Sequence, residues 1–114
     1  MTLTTIEKAA KLIGYKTWDQ ACDEGIFVGE TGEVDLELFN PYTNKSDLMD
    51  VECELGIDVE WDNAASGPNV KCAKRIGSKF AYSKVWLDNH PDKFTARAHA
   101  VMAVVEQIYD RREG

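Results

Sequence analysis

The stretch from Phe94 to Tyr109 constrains this chain more than any other. Phe94, Ala98, Val101, Met102, Val105, Ile108 and Tyr109 recur with the 3.6-residue period of a helix. Asp92 or Thr95 can cap its start, and Arg111 and Arg112 suit the negative end of its dipole. A long helix with one apolar stripe must lay that stripe on a partner surface. At 114 residues and 12.8 kDa the chain has length for one core and not for two. A sheet built from the middle of the chain is the expected partner, which makes residues 1–114 a single domain: short helices over 1–28, then sheet, central helix and C-terminal helix over 29–114.

The remaining elements follow from local chemistry. Thr4 and Glu7 form a capping box, and Ile6, Ala9, Ala10 and Ile13 keep helical spacing until Gly14. Thr17 with Gln20 repeats the signal for a two-turn helix that Gly25 can end. In "GETGEVDLELF" the alternation places Val34, Leu36 and Leu38 on one side of a strand and Glu33, Asp35 and Glu37 on the other. "NPYTN" is turn chemistry. Asn44 or Ser46 can cap a helix whose stripe is Leu48, Val51 and Leu55, and Gly56 closes it. "IDVEWD" reads as a second strand with Ile57, Val59 and Trp61 inward, and Val70–Ile76 and Lys79–Trp86 as two more around Gly77-Ser78. The sum is an α+β fold, a layered sandwich with a small, mostly antiparallel sheet packed by N-terminal, central and long C-terminal helices.

Charge is the second constraint. Formal net charge is −7, but its distribution says more than its sum. Residues 19–62 hold fourteen acids against Lys45 alone, whereas residues 63–87 hold Lys71, Lys74, Arg75, Lys79 and Lys84 and no acid. Such bipolarity bears on the sign of a partner rather than on the fold. Asp58, Glu60 and Asp62 share one face of their strand about 6.6 Å apart, a row with about half the linear charge density of one DNA strand. Glu33, Asp35 and Glu37 on a neighbouring strand would double it. Together these six acids are the expected partner-binding surface, with Trp61 left in the core; the plain alternative is a solvated acidic face.

Other chemical readings stand beside it. Two of the row's carboxylates could share a divalent ion, with Lys71 or Lys74 nearby, as a metal-dependent nuclease requires. No phosphate loop, zinc-protease pair or nucleophile elbow accompanies them, so no metal, cofactor or catalytic residue is assigned. The first 28 residues have the outline of a helix-turn-helix, but Asp19, Asp23 and Glu24 sit where phosphates would be met, and direct nucleic-acid binding is not expected. His90 and His99 lack a nucleophilic partner at motif spacing. Cys22, Cys53 and Cys72 are too far apart for a metal ribbon and read as reduced thiols. With no apolar run of membrane-spanning length and with Glu7 and lysines near the start, the expectation is a soluble, cytoplasmic protein that does not bind membranes.

"FNPYTNKSDLMDVECELGIDVEW" and "TARAHAVMAVVEQIYDRRE" together resemble the phage ABA sandwich family, which includes NinX-like bacteriophage proteins. Asn40-Pro41-Tyr42-Thr43, Asp47-Leu48-Met49, Ile57–Trp61 and Thr95-Ala96-Arg97-Ala98 carry the likeness. Lys45 departs from it, standing where the family usually has Trp. The resemblance implies a turn, helix, strand, hairpin and C-terminal helix, and a phage origin; it transfers no catalytic residue. The expected function is therefore that of a small non-enzymatic accessory protein, in the cytoplasm of a host bacterium, that binds a host or phage protein with a basic groove. Inhibition of a nucleic-acid-handling defence complex, an anti-CRISPR type of role, is its most specific form. Alternatives are the nuclease, the DNA-binding regulator, and a phage protein that self-associates through a sheet edge; the oligomeric state is open.

Overall fold

A computed structural model describes residues 4–15, 26–28, 37–65 and 67–113. The order is α1 (Thr5–Leu12), β1 (Ile26–Val28), β2 (Glu37–Phe39), α2 (Lys45–Leu55), β3 (Asp58–Ala64), β4 (Gly67–Ile76), β5 (Lys79–Trp86), a 3-10 turn (Leu87–Asn89) and α3 (Lys93–Glu113). The fold is α+β. β1 and β2 form a two-stranded antiparallel sheet, and β3, β4 and β5 a three-stranded antiparallel sheet in that order.

Local chemistry accounts for the helix boundaries. The Glu7 N–H donates to the Thr4 hydroxyl, which donates to the Glu7 carboxylate, closing the capping box of α1. The Asn44 side chain accepts from the Asp47 N–H at the start of α2, and Gly56 ends that helix in the left-handed region at φ 65°, where a side chain would be strained. Asp92 caps α3 by accepting from the Thr95 N–H at 2.7 Å, and those hydrogen bonds hold its carboxyl below the usual range. Tyr42 donates its N–H to the Asn40 side chain in the turn between β2 and α2.

The core lies between α3 and the inner face of the three-stranded sheet. From α3 it takes Ala98, Val101, Met102, Val105 and Ile108, with Ala96, Ala100 and Val104 also buried, and from the sheet Val70, Cys72 and Ala81. Burying side chains of this size stabilises by about 1.5–3 kcal/mol each before conformational entropy is subtracted. Leu48, Val51 and Leu55 of α2, Ala9 and Ala10 of α1, Val28 of β1, Phe39 of β2 and Ile57 ahead of β3 join it. α1 is held against α3 by a Lys8–Glu106 ion pair at 2.6 Å, with the Thr5 hydroxyl donating to the same carboxylate. α2 is held by Arg97, whose guanidinium grips the Glu52 carboxylate with two hydrogen bonds.

Two expectations about which side chains lie inside are corrected. Leu38, placed inward by alternation, is exposed, and Phe39 is the buried member of β2. Trp61, assigned to the core, is 44% exposed. α3 lies across β4 and β5, so the inner face of β3 runs out beyond its cover. The two-turn helix expected over Thr17–Gly25 falls outside the described residues, as do Glu33 and Asp35.

Candidate functional site

β3 is a border strand whose two faces differ in chemistry. On the outer face, Asp58 and Glu60 are exposed, and Asp62 is half-buried. The register sets Glu60 opposite Lys71 and Asp62 opposite Asn69. The acids do not act as one row, because Lys71 reaches diagonally and holds the Asp62 carboxylate at 3.2 Å. That hydrogen bond and charge lower the Asp62 pKa and raise that of Lys71. Part of the chain's charge asymmetry is thus an internal surface pair, of a kind that adds little stability. Asp58 and Glu60 have no ion-pair partner among the described residues.

Of Glu33, Asp35 and Glu37, only Glu37 lies among the described residues. Glu37 belongs to β2, which pairs with β1, whereas Asp58, Glu60 and Asp62 belong to the other sheet. Asp50 and Glu54 of α2 are exposed, and the Tyr15 hydroxyl donates to Asp50, which sets these acids beside the end of α1.

On the inner face, Trp61 closes one side of an apolar groove of about 280 Å³ between α2, β3 and the start of α3. Leu48, Met49 and Phe94 line it, with Lys45, Lys93 and the Glu52–Arg97 pair also contributing. Met49 is 64% exposed. A second hollow of about 250 Å³ shares Trp61 and Lys93 and reaches Pro68, Asn69 and Leu87. The groove exists because α3 covers β4 and β5 while α2 covers only part of β3. Met49 could have been foreseen, since it sits one residue off the Leu48, Val51, Leu55 stripe. Trp61 gave no such signal, because it shares parity with Ile57 and Val59.

The other chemical readings gain little. Among the described residues no three His, Cys, Asp or Glu side chains gather as a metal site. Lys8, which a DNA-binding surface would need, is committed to Glu106. His90 and His99 stack at 4.6 Å with Tyr42 against His99, and burial together with His90 lowers the His99 pKa. Cys72 is buried, which pushes its thiol up to about 12, far from a reactive thiolate. Cys53 is exposed and free. No helix among the described residues is long and apolar enough to cross a membrane. Of the two edges that self-association through a sheet edge could use, that of β5 is occupied at one point: the Gln107 amide accepts from the Tyr82 N–H and donates to its carbonyl.

Compared with family models, curated proteins and solved structures, the chain matches none.

Proposed function

We propose that this chain is a non-enzymatic protein-binding module that docks a basic partner along its β3 border. The observation that carries the reading is one strand presenting Asp58 and Glu60, without an ion-pair partner among the described residues, on one face and Trp61 beside an apolar groove on the other. An apolar anchor fills the groove, and the carboxylates meet lysines or arginines of the partner. Binding energy at such surfaces concentrates in a few aromatic and charged anchors, while long-range charge sets the rate of encounter. A groove made for nucleic acid has the complementary sign, so a nucleic-acid-handling complex is the partner class we favour. Its most specific form is a phage protein acting on a host defence complex, which rests on the resemblance of the 39–61 and 95–113 motifs to the phage family.

The test is affinity capture from bacterial lysate at low and high salt, with identification of the captured protein and competition by nucleic acid. The Asp58→Asn/Glu60→Gln variant is compared with wild type; Asp62 is left intact because Lys71 already holds it. Capture of a nucleic-acid-handling protein that salt, the variant and added nucleic acid each weaken supports the reading. Capture indifferent to all three removes it.

A further inference from the structure

The outer face of the three-stranded sheet carries three columns of different chemistry. β3 contributes Asp58, Glu60 and Asp62; β4 contributes Arg75, Ala73 and Lys71, while Asn69 at its end is buried; β5 contributes Phe80, Tyr82, Lys84 and Trp86. Register fixes the rows: Asp58, Ala73 and Tyr82 lie in line, and so do Glu60, Lys71 and Lys84. Phe80 is 61% and Tyr82 49% exposed, two large rings on one face with solvent before them. Lys84 lies over Trp86 at 4.6 Å, so its ammonium is steadied near that ring.

An acidic border strand and a border strand carrying Lys84 and two exposed rings complement each other, while Arg75, Ala73 and Lys71 of the centre face their own copies. We infer that this face pairs with the same face of a second copy of the chain, sheet on sheet, about a two-fold axis running along β4. That operation sets β3 of each copy over β5 of the other and leaves every row facing its own row. Glu60 of each copy then meets Lys84 of the other, and Asp58 meets the Tyr82 ring and hydroxyl. Ala73 meets Ala73 at the axis, where a small side chain lets the sheets approach to the usual separation of about 10 Å. Lys71 would face its own copy, but each is already neutralised by Asp62. Phe80 lies in the row of Arg75, which runs past the first residue of β3, and covers the chain's entry to that strand at Gly56. The pairing uses a face and not an edge, so the Gln107 bonds to Tyr82 remain intact.

The inference rests on the acidic-border reading and gives that border a second occupant, a copy of the chain, beside the basic partner proposed above. Three short strands give a small interface, so association is expected in the micromolar to millimolar range rather than as an obligate dimer. The test is sedimentation equilibrium from about 10 μM to about 1 mM, the range that a small interface implies. Wild type should move from its monomer mass of 12.8 kDa toward twice that value, and less readily at high salt. Glu60→Lys and Lys84→Glu should each weaken association at least about tenfold, and the double variant should restore it, all three keeping the wild-type circular dichroism spectrum. A wild-type mass that stays monomeric across the range, or single variants that the double does not rescue, overturns the inference. Neither result bears on the lysate capture, which reads Asp58 and Glu60 against a different partner.

Discussion

Along β4 and β5, alternate residues have opposite surroundings. Val70, Cys72 and Ala81 are sealed under α3, while Arg75, Phe80, Tyr82 and Lys84 stand in solvent. The inner set is apolar and small enough for a helix to lie close. The outer set carries the larger rings and the charges, arranged in register. The contrast teaches that burial within the chain accounts for one face only. The large rings left outside this core are the ones that the proposed sheet-on-sheet pairing would cover.

The sharpest way to break the contrast is to damage the sealed face. Ile108→Ala removes a fully buried side chain from α3 and should cost about 3 kcal/mol in urea denaturation, within the usual range for such cavities. A loss below about 1 kcal/mol would mean that α3 is not seated as described. Next in size is Arg97→Met. It leaves the Glu52 carboxylate, 10% exposed, without its two hydrogen bonds, and about 2 kcal/mol of stability should go. This is less than a fully buried pair would lose, since Arg97 is itself 36% exposed.

Gln107→Ala should cost about 1 kcal/mol, the worth of hydrogen bonds to partly hydrated backbone groups, and should speed backbone amide exchange at Tyr82 first. Unchanged exchange there would show that the Gln107 amide does not close the strand. Phe80→Ser, on the open face, should alter stability by less than about 0.5 kcal/mol while weakening self-association. A large stability loss would place Phe80 in the core and erase the contrast.

The smallest expected effect is on pH dependence. Burial and His90 hold the His99 pKa below its ordinary value of 6.5, so the folded state takes up a proton there less readily than the unfolded chain. The contribution is fully present above about pH 6.5 and is lost as pH falls from there through the lower folded value. Melting temperature should decline over that window in wild type and less in His99→Gln; parallel curves would remove His99 as the cause.

Much of this was readable from sequence wherever one residue type has one local use. Thr4, Asn44 and Asp92 each cap the helix assigned to them, Gly56 ends α2, and Gly77-Ser78 joins the two long strands. Periodicity correctly separated the outer acids of β3 from its inner side chains. It could not tell how far α3 reaches across the sheet, and so it misplaced Trp61. The same limit applies to Leu38 beside Phe39, where two apolar neighbours leave the parity of a three-residue strand to its surroundings. Lys71 reaching Asp62 rather than Glu60 depends on side-chain direction within a twisted sheet, to which spacing along the chain is blind. Gln107 was silent for another reason: a polar residue beside an apolar stripe ordinarily faces water.

That glutamine bears on how the protein behaves when crowded. Its carboxamide answers Tyr82 as a neighbouring strand would, donating and accepting at once. A newcomer arriving in the plane of the sheet finds that position taken. Growth at this border by repeated addition, the route toward fibres, is checked at Tyr82 by one side chain.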